Sequence, residues 1–266
     1  MLIEIAVLFG FGCLSGVTTV GFGFGGGFIT VPVVYAFALA DPAHGLGAMH
    51  MAVATSTAVM VVNAGSATFA QLRAGRLRRD YLWPLIAFIG LGAVLGSLAA
   101  TVADESLLRW LFVAYLALTI GDSVVRKGFV STEPDVLPRA LGGVTTTAGG
   151  TGIGAVASFL GVGGSVLTVP LLRRKGLPMA EATALANPLS LPVAAIGTAV
   201  YAFAAPGTPG AAHLGYIDLV AAGALLCGSL PAIAVTRRVV GRIPDRAHAI
   251  AYLALLGAAL IAIVVR

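Results

Sequence analysis

Apolar runs of about 20 residues recur along the whole chain, and they constrain the fold more than any other feature of the sequence. A helix of that length crosses the hydrocarbon core of a bilayer, which is roughly 30 Å thick. The chain has 266 residues, of which 58% are hydrophobic and 10% charged, and its mean hydropathy is +0.98. A water-soluble domain carries roughly 25% charged residues. The sequence therefore predicts an all-α polytopic membrane protein.

One ten-residue motif occurs twice. The copies are 23–32 (GFGGGFITVP) and 161–170 (GVGGSVLTVP), and six of the ten positions are identical. Each copy is typical of a helix end, a glycine turn and a new short helix. Glycine adopts backbone angles that other residues avoid, and free N–H groups at a helix start attract anions. A duplication of this kind is typical of transporters built from two halves.

Each half contains five apolar segments. They are 2–20, 28–39, 47–71, 81–101 and 107–125 in the first half, and 140–160, 166–172, 179–204, 216–235 and 247–265 in the second. The sequence thus predicts one integrated membrane domain with a five-helix repeat (1–126), a cytoplasmic connector (127–139) and a second repeat (140–266). The second segment of each half is too short for an upright crossing. Helices one and two, and six and seven, therefore either span fully or form re-entrant hairpins.

Basic residues have opposite bias in corresponding loops of the two halves. The loop 73–79 contains four arginines, whereas its partner, 206–215, contains no lysine or arginine. The loop 41–45 has none, whereas its partner contains Arg173, Arg174 and Lys175. Basic residues concentrate in cytoplasmic loops. We therefore expect two inverted-topology repeats, with the connector inside and both termini on the outer face.

The two glycine turns are the first candidates for a substrate site. Irregular backbone within a bilayer persists only where protein or a water-filled cavity satisfies it. In inverted-repeat transporters, broken helices meet near the midplane and direct their positive ends at anions. The alternative is that the glycines serve only close packing. The candidate residues are Gly25, Gly26, Gly27, Gly163, Gly164 and Ser165, with Pro32, Pro170 and Pro188 as predicted helix breaks.

Polar side chains on the third and eighth apolar segments are the second candidates. Hydroxyl and amide groups replace the water around an oxyanion without burying a charged side chain. Interhelical hydrogen bonding is the alternative role, and membrane helices use it routinely. The candidate residues are Thr55, Ser56, Asn63, Asn187 and Ser190.

Ionisable residues are scarce within the apolar segments. His50 lies about one turn inside the third segment and Glu181 begins the eighth, so each is a candidate for carrying a coupling proton. The alternative is an interfacial position without a role in transport. Other ionisable residues near helix ends or loops are attributed to solvation, namely Glu4, His44, His213, Asp218 and His248.

No motif supports catalysis, a metal site or a cofactor. The chain has no Ser–His–Asp arrangement, no H-E-x-x-H, no Walker loop and no intramembrane pair of carboxylates. Its two cysteines, Cys13 and Cys227, are not spaced as metal ligands. The net charge of +5 comes from loop residues, so it does not indicate a nucleic-acid partner.

The repeated G-x-G-G-[GS]-x-[IL]-T-V-P motif, each copy followed by a small-residue helix, resembles the TauE/SafE family, also known as the sulfite exporter or toluene sulfonate uptake permease family. The resemblance extends over about Leu2 to Val265. It implies a secondary carrier of small sulfur-containing or organic anions, such as sulfite, sulfonates or sulfoacetate, in the bacterial inner membrane. The positions that match the motif are Gly25, Gly26, Pro32, Gly163, Gly164 and Pro170.

The leading hypothesis is an alternating-access anion transporter coupled to the proton gradient. Its partners would be a small anionic solute and the lipid bilayer, and the sequence leaves open whether the protein forms a homo-oligomer. One alternative is a channel, or a carrier of another solute such as a metal cation, which should place carboxylates or several histidines at the midplane. The other alternative is a membrane protein without a transport role.

Overall fold

The protein folds almost entirely into helices. A computed structural model describes residues 2–40, 47–75, 77–125, 139–204, 212–239 and 244–264. The first half contains α1 (Leu2–Phe22), α2 (Gly27–Ala40), α3 (Ala48–Arg73), α4 (Arg79–Leu82), α5 (Leu85–Thr101) and α6 (Glu105–Val125). The second half contains a π-helical turn (Thr145–Gly149), α7 (Gly150–Phe159), α8 (Ser165–Arg174), α9 (Met179–Phe203), α10 (Leu219–Thr236) and α11 (Asp245–Val264). Strands β1 (His213–Leu214) and β2 (Ile217–Asp218) form an antiparallel hairpin before α10.

Seven helical segments of the described chain are long and apolar enough to cross a bilayer. They are α1, α3, α4 together with α5, α6, α9, α10 and α11. Their outer faces expose large apolar side chains, including Leu91, Leu118 and Ile261. A surface of this kind is unfavourable in water and suits contact with lipid. The protein is therefore an all-α polytopic membrane protein, which confirms the predicted fold class.

Helix α1 crosses α10 at short range because glycines leave room for the neighbouring backbone. A Cβ atom added to Gly12 would lie 2.2 Å from the carbonyl oxygen of Leu225, and one added to Gly16 would lie 2.3 Å from that of Ser229. The four-residue spacing of these glycines predicts a close contact between helices. The structure confirms that contact.

Helix α7 crosses α5 through a similar contact in the other half of the bundle. A Cβ atom added to Gly154 would lie 1.9 Å from the carbonyl oxygen of Ile89. When the two motif copies are aligned, Gly154 is the counterpart of Gly16, and Ile89 falls close to the counterpart of Ser229. The same kind of crossing therefore occurs twice, as expected of a duplicated chain. The inverted relation of the two halves remains a prediction.

The short helix α2 folds back beside α1, whereas α8 packs mainly against α9 and only its end returns to the start of the second half. A Cβ atom added to Gly26 would lie 2.2 Å from the hydroxyl oxygen of Ser15, on α1. In the second half, the amide of Arg139 donates a hydrogen bond of 2.8 Å to the carbonyl oxygen of Lys175, just beyond α8. The chain thus enters and leaves the α7–α8 pair at the same place. We therefore predict that α7 and α8 form a re-entrant hairpin, one of the two arrangements that the sequence leaves open.

Contacts between helix termini define two ends of the bundle. At one end, Glu105 accepts a hydrogen bond from the amide of Met49, which joins the starts of α6 and α3. At the other end, Arg78 pairs with Glu181 at the start of α9. The second end, named the basic end here, also carries the basic residues at the ends of α3 and α8, at the start of α4 and before the second half: Arg73, Arg79, Arg139, Arg173, Arg174 and Lys175. Apart from Arg139, the predicted connector lies outside the described residues.

The prolines interrupt the helices at a different position from those that the sequence predicts. The fourth predicted helix is interrupted at Trp83-Pro84, between α4 and α5, where proline lacks the N–H donor that a continuing helix needs. In contrast, Pro32, Pro170 and Pro188 lie inside α2, α8 and α9 without ending them. The prediction that these three prolines break helices is wrong, because each leaves only one carbonyl without its helical donor, and neighbouring groups compensate for such a loss in membrane helices.

Candidate functional site

The two glycine turns, residues 23–27 and 161–165, touch each other inside the bundle. A Cβ atom added to Gly27 would lie 3.1 Å from the carbonyl oxygen of Gly161, and one added to Gly163 would lie 3.0 Å from that of Phe24. Every residue of both turns is buried. Gly25 approaches Met60, near the middle of α3. The structure thus brings together the two segments that the duplicated motif singles out.

The two turns differ in backbone conformation. Gly25 and Gly26 have φ angles of 62° and 95°, in the left-handed region that residues with a Cβ atom rarely adopt. In the second turn, only Gly161 has a positive φ, of 66°. Gly164 instead has a φ of −59°, an ordinary helical value. Substitution is therefore strained at more positions in the first turn than in the second.

Two helix N-termini converge at this contact. Helix α2 begins at Gly27 and α8 begins at Ser165, each at the end of its turn. The first repeating amide bonds of each helix go to a turn glycine, Gly26 for α2 and Gly164 for α8. The amides that precede these bonds have no partner within the helix and carry the partial positive charge of the helix end. The contact between the turns therefore combines two positive helix ends.

A hydrogen-bonded group on three helices adjoins the first turn, because a Cβ atom added to Gly26 would approach both Ser15 and Asn63. Asn63 on α3 donates to the Ser15 hydroxyl of α1 at 3.3 Å and accepts from the Ser229 hydroxyl of α10 at 2.7 Å. Thr30 donates its hydroxyl to the carbonyl oxygen of Gly26 at 3.0 Å. Asn63 thus makes interhelical hydrogen bonds, which is the role that the sequence offers as the alternative to substrate binding. Ser15 and Ser229 were not among the predicted site residues.

The hydroxyl residues of α3 bond in three different directions. Ser56 donates to the carbonyl oxygen of Gly161 at 2.8 Å, which ties α3 to the second turn. Thr57 bonds within its own helix. Thr55 accepts a hydrogen bond of 3.0 Å from the amide of Asp218, in strand β2. Of the two predicted hydroxyl residues, Ser56 contacts a turn and Thr55 contacts the β-hairpin.

Buried hydroxyls without a hydrogen-bond partner flank the second turn. They are the side-chain oxygens of Ser158, Ser165 and Thr168, all in fully buried residues. Thr168 is the counterpart of Thr30 in the duplicated motif, yet only the Thr30 hydroxyl is bonded. Leaving a buried hydroxyl unpaired costs on the order of 1–3 kcal/mol. These oxygens are therefore candidates for hydrogen bonds to a ligand, and sequence reasoning identified only Ser165.

Asn187 and Ser190 bring α9 to the two turns. The Asn187 amide nitrogen donates to the carbonyl oxygen of Thr19, near the end of α1, at 3.1 Å. Its amide oxygen is buried without a partner. Ser190 bonds within α9, and a Cβ atom added to Gly163 would lie 2.9 Å from its hydroxyl oxygen. Both predicted residues therefore lie beside the turns.

An aromatic cluster connects the two turns to α11. The ring of Phe24 lies 4.8 Å from that of Phe28 and 4.9 Å from that of Tyr252. The Tyr252 hydroxyl donates to the carbonyl oxygen of Val166 at 3.3 Å. Pro170 deprives this carbonyl of its helical donor. The tyrosine thus supplies the bond that the proline removes.

His248 is buried, although its position near a helix end predicts solvation. Its Nε2 contacts the carbonyl oxygen of Gly21, and its ring lies 5.3 Å from that of Phe22. Only 1% of the residue is exposed. The prediction is wrong because the start of α11 lies against the α1–α2 hairpin, a contact between segments that are far apart in sequence.

The two predicted proton-coupling residues lie at opposite ends of the bundle. His50 is buried near the start of α3, with Nε2 3.1 Å from the carbonyl oxygen of Ala100 and its ring stacked on Tyr216. Glu181 is partly exposed at the basic end, with a carboxylate oxygen 3.6 Å from the guanidinium of Arg78. His44 lies outside the described residues.

A cavity of about 770 Å³ adjoins the α7–α8 hairpin and is also lined by α5 and α6. Leu160 and Val166, on either side of the second turn, form part of its wall. Most of its lining is apolar, and the residues with polar side chains are Tyr115, Thr119, Asp122 and Arg174. Among the described residues, no three His, Cys, Asp or Glu side chains are grouped so that they could hold a metal ion.

The fold and the two buried turns define a multi-pass membrane protein in which two helix N-termini meet inside the bundle. The chain matches the family model of the sulfite exporter TauE/SafE over residues 8–263. It belongs to this family of membrane transporters, which confirms the resemblance indicated by the duplicated motif. Comparisons with curated proteins and with solved structures gave no match.

Proposed function

We propose that the protein is a secondary active transporter that carries a small sulfur-containing or organic anion, such as sulfite, a sulfonate or sulfoacetate, across the bacterial cytoplasmic membrane. Membership of a sulfite exporter family supports transport and the sulfur-containing class. The observation that carries the choice of an anion is the contact of the two glycine turns, where two helix N-termini meet beside the unpaired hydroxyls of Ser165 and Thr168.

An oxyanion suits these groups because its oxygens accept hydrogen bonds and its charge is negative. Amide N–H groups at helix starts donate such bonds and add the partial positive charge of about half a unit per helix end. Hydroxyls donate as well, without a charged side chain that would be costly to bury. We place the solute at the second turn, with Gly163, Gly164, Ser165 and Thr168 as its main contacts and Asn187 beside them.

The first turn serves as support in this proposal. Gly25, Gly26 and Gly27 place the start of α2 against the second turn. Ser56 bonds the second turn directly, and Asn63 joins α3 to α1 beside the first turn. Alternating access would come from relative movement of the two hairpins, with the basic end towards the cytoplasm and both termini outside. We also propose that transport of the anion is coupled to the proton gradient.

Transport is tested with purified protein in proteoliposomes. Uptake of labelled sulfite, a sulfonate and a carboxylate is measured with and without an imposed pH gradient, and empty liposomes are the blank. We expect saturable uptake of at least one sulfur oxyanion, faster with the gradient. His50→Gln and Glu181→Gln test whether either residue contributes to the pH effect. Transport of divalent cations alone would overturn the proposal.

The position of the solute is tested by removing one hydroxyl from each turn. Thr168→Val removes an unpaired hydroxyl at the second turn, whereas Thr30→Val removes its bonded counterpart in the first. A hydrogen bond to a charged group contributes about 1.5–3 kcal/mol, so we expect Thr168→Val to raise KM by about tenfold or more. Thr30→Val should change KM less than about threefold. Equal changes in the two variants would contradict a site at the second turn.

A further inference from the structure

The cavity beside the second hairpin opens sideways, towards the lipid-facing surface of the bundle. Leu118 on α6 and Leu95 on α5 line it and are 73% and 57% exposed. Both helices belong to segments that are long and apolar enough to cross a bilayer. In a membrane these exposed leucines contact acyl chains. The cavity, named the lateral groove here, is therefore accessible from the lipid phase.

The length of the lateral groove matches one leaflet. On α6 its lining extends from Leu111 to Asp122, which at 1.5 Å per residue is about 16 Å. Half of a hydrocarbon core of roughly 30 Å is about 15 Å. Asp122 lies near the basic end, where α6 approaches the end of α8. The groove thus extends from the basic end to about the middle of the bundle.

Among the described residues that line the lateral groove, the charged ones lie at one end. Arg174 of α8 forms an ion pair with Asp122 of α6, and about a third of each side chain is exposed. A guanidinium has five N–H donors, so one carboxylate leaves some of them available to a phosphate. A ligand of matching chemistry has an anionic head and a long apolar body.

We propose that the lateral groove binds a phospholipid of the leaflet at the basic end. Its acyl chain lies along α6 and α8 towards the second turn, and its phosphate contacts Arg174. Basic pockets between membrane helices bind anionic headgroups in this way. The bound chain would contact Leu160 and Val166 and so stabilise the hairpin that carries the second turn.

The groove is tested by native mass spectrometry of the purified protein titrated with phosphatidylglycerol or phosphatidylcholine. Ala114→Trp fills the groove with an indole, whereas Ala117→Trp places the same side chain on an exposed part of α6 outside it. We expect Ala114→Trp to lose the tightest lipid adduct and Ala117→Trp to retain it. Lipid adducts of equal number and strength in the two variants would overturn the proposal, as would a dimer that covers this face and excludes lipid.

The headgroup contact is tested by separating the two members of the ion pair. Arg174→Gln removes the cation, and we expect phosphatidylglycerol affinity to fall by about tenfold. Asp122→Asn removes the competing carboxylate, so affinity should stay the same or rise. A purely structural ion pair would give the same loss in both variants. That result, or unchanged binding in Arg174→Gln, would overturn the assignment of Arg174. Thermal unfolding in detergent identifies any variant that fails to fold.

Discussion

Glycine matters at the helix crossings because it has no side chain, and two neighbouring glycines of α1 separate this effect from helix propensity. Gly12 faces the carbonyl oxygen of Leu225, whereas a Cβ atom added to Gly10 would have no atom within 4 Å. Overpacking a tight contact costs typically about 1–3 kcal/mol. Alanine at an open helical position gains roughly 0.5–1 kcal/mol over glycine. The two substitutions should therefore have opposite signs.

We predict that Gly12→Ala lowers the thermal unfolding midpoint in detergent and that Gly10→Ala leaves it unchanged or raises it. Intrinsic fluorescence during heating measures both midpoints, and size-exclusion chromatography shows whether the variants stay monodisperse. Equal midpoints for the two variants would mean that α1 and α10 separate enough to admit a methyl group, against the contact seen at Gly12.

Individual side chains show how far the candidate site could be predicted from the sequence. The duplicated motif identifies the glycines that meet, and the structure places Ser56, Asn187 and Ser190 beside them. The direction of a side chain around its helix depends on partners that no local pattern encodes. Thr55 therefore bonds the β-hairpin, next to Ser56 in sequence but on another face. Nothing in the local sequence indicates that His248 is buried, because its partner, Gly21, is far away in the sequence, near the end of α1.

At the scale of elements, the second hairpin is held by a helix of the other half. The Ser56 hydroxyl on α3 donates to the carbonyl oxygen of Gly161, and both groups are buried. Without the hydroxyl, this carbonyl loses a side-chain donor at the point where α7 ends and the turn begins. An unpaired buried carbonyl costs on the order of 1–3 kcal/mol. The bond thus couples the position of α3 to the geometry of the second turn.

We predict that Ser56→Ala speeds amide hydrogen exchange in peptides covering 157–168 and lowers the unfolding midpoint. Thr57→Val is the matched control, because it removes a neighbouring buried hydroxyl whose bond lies within α3. It should leave exchange in 157–168 unchanged. Faster exchange in both variants would show that loosening α3, rather than loss of the bond to Gly161, is responsible.

The elements themselves were largely predictable, and their connections were less so. Apolar length gives the long helices, and a segment too short to span indicates the hairpins. Their folding back becomes visible only through contacts such as that between Arg139 and Lys175. Repeated letters can also mislead about register. The triplet Gly-Ser-Leu at 96–98 recurs at 228–230, which would make Ser97 the counterpart of Ser229. In the structure the counterpart is Ile89, because its carbonyl oxygen faces Gly154 as that of Ser229 faces Gly16. Helix crossings depend on backbone approach rather than on matching triplets.

For the whole molecule, charge is distributed unevenly between the two ends. The basic end carries the arginines and lysine that surround α3, α4 and α8, whereas Arg109 lies at the other end, bonded to the carbonyl oxygen of Ile263. Cytoplasmic surfaces of membrane proteins retain lysine and arginine. We therefore predict that the basic end faces the cytoplasm, which would place the described start of α1 outside.

Three single cysteines in a variant without Cys13 and Cys227 test this orientation. Ala140→Cys and Ala180→Cys lie on either side of the second hairpin at the basic end, and Val102→Cys lies at the other end. All three native residues are exposed. A membrane-impermeant maleimide added to intact cells should label only Val102→Cys, and in inverted vesicles it should label the other two.

Each outcome of the labelling identifies a different physical error. Labelling of Ala140→Cys and Ala180→Cys from opposite faces would mean that the α7–α8 pair crosses the bilayer, against the hydrogen bond between Arg139 and Lys175. Labelling of both from outside would mean that local basic residues do not set the orientation. The expected pattern requires both that the hairpin returns to its starting face and that this face is the cytoplasmic one. Under that pattern, an anion leaving the cytoplasm would first meet the positive end of the molecule.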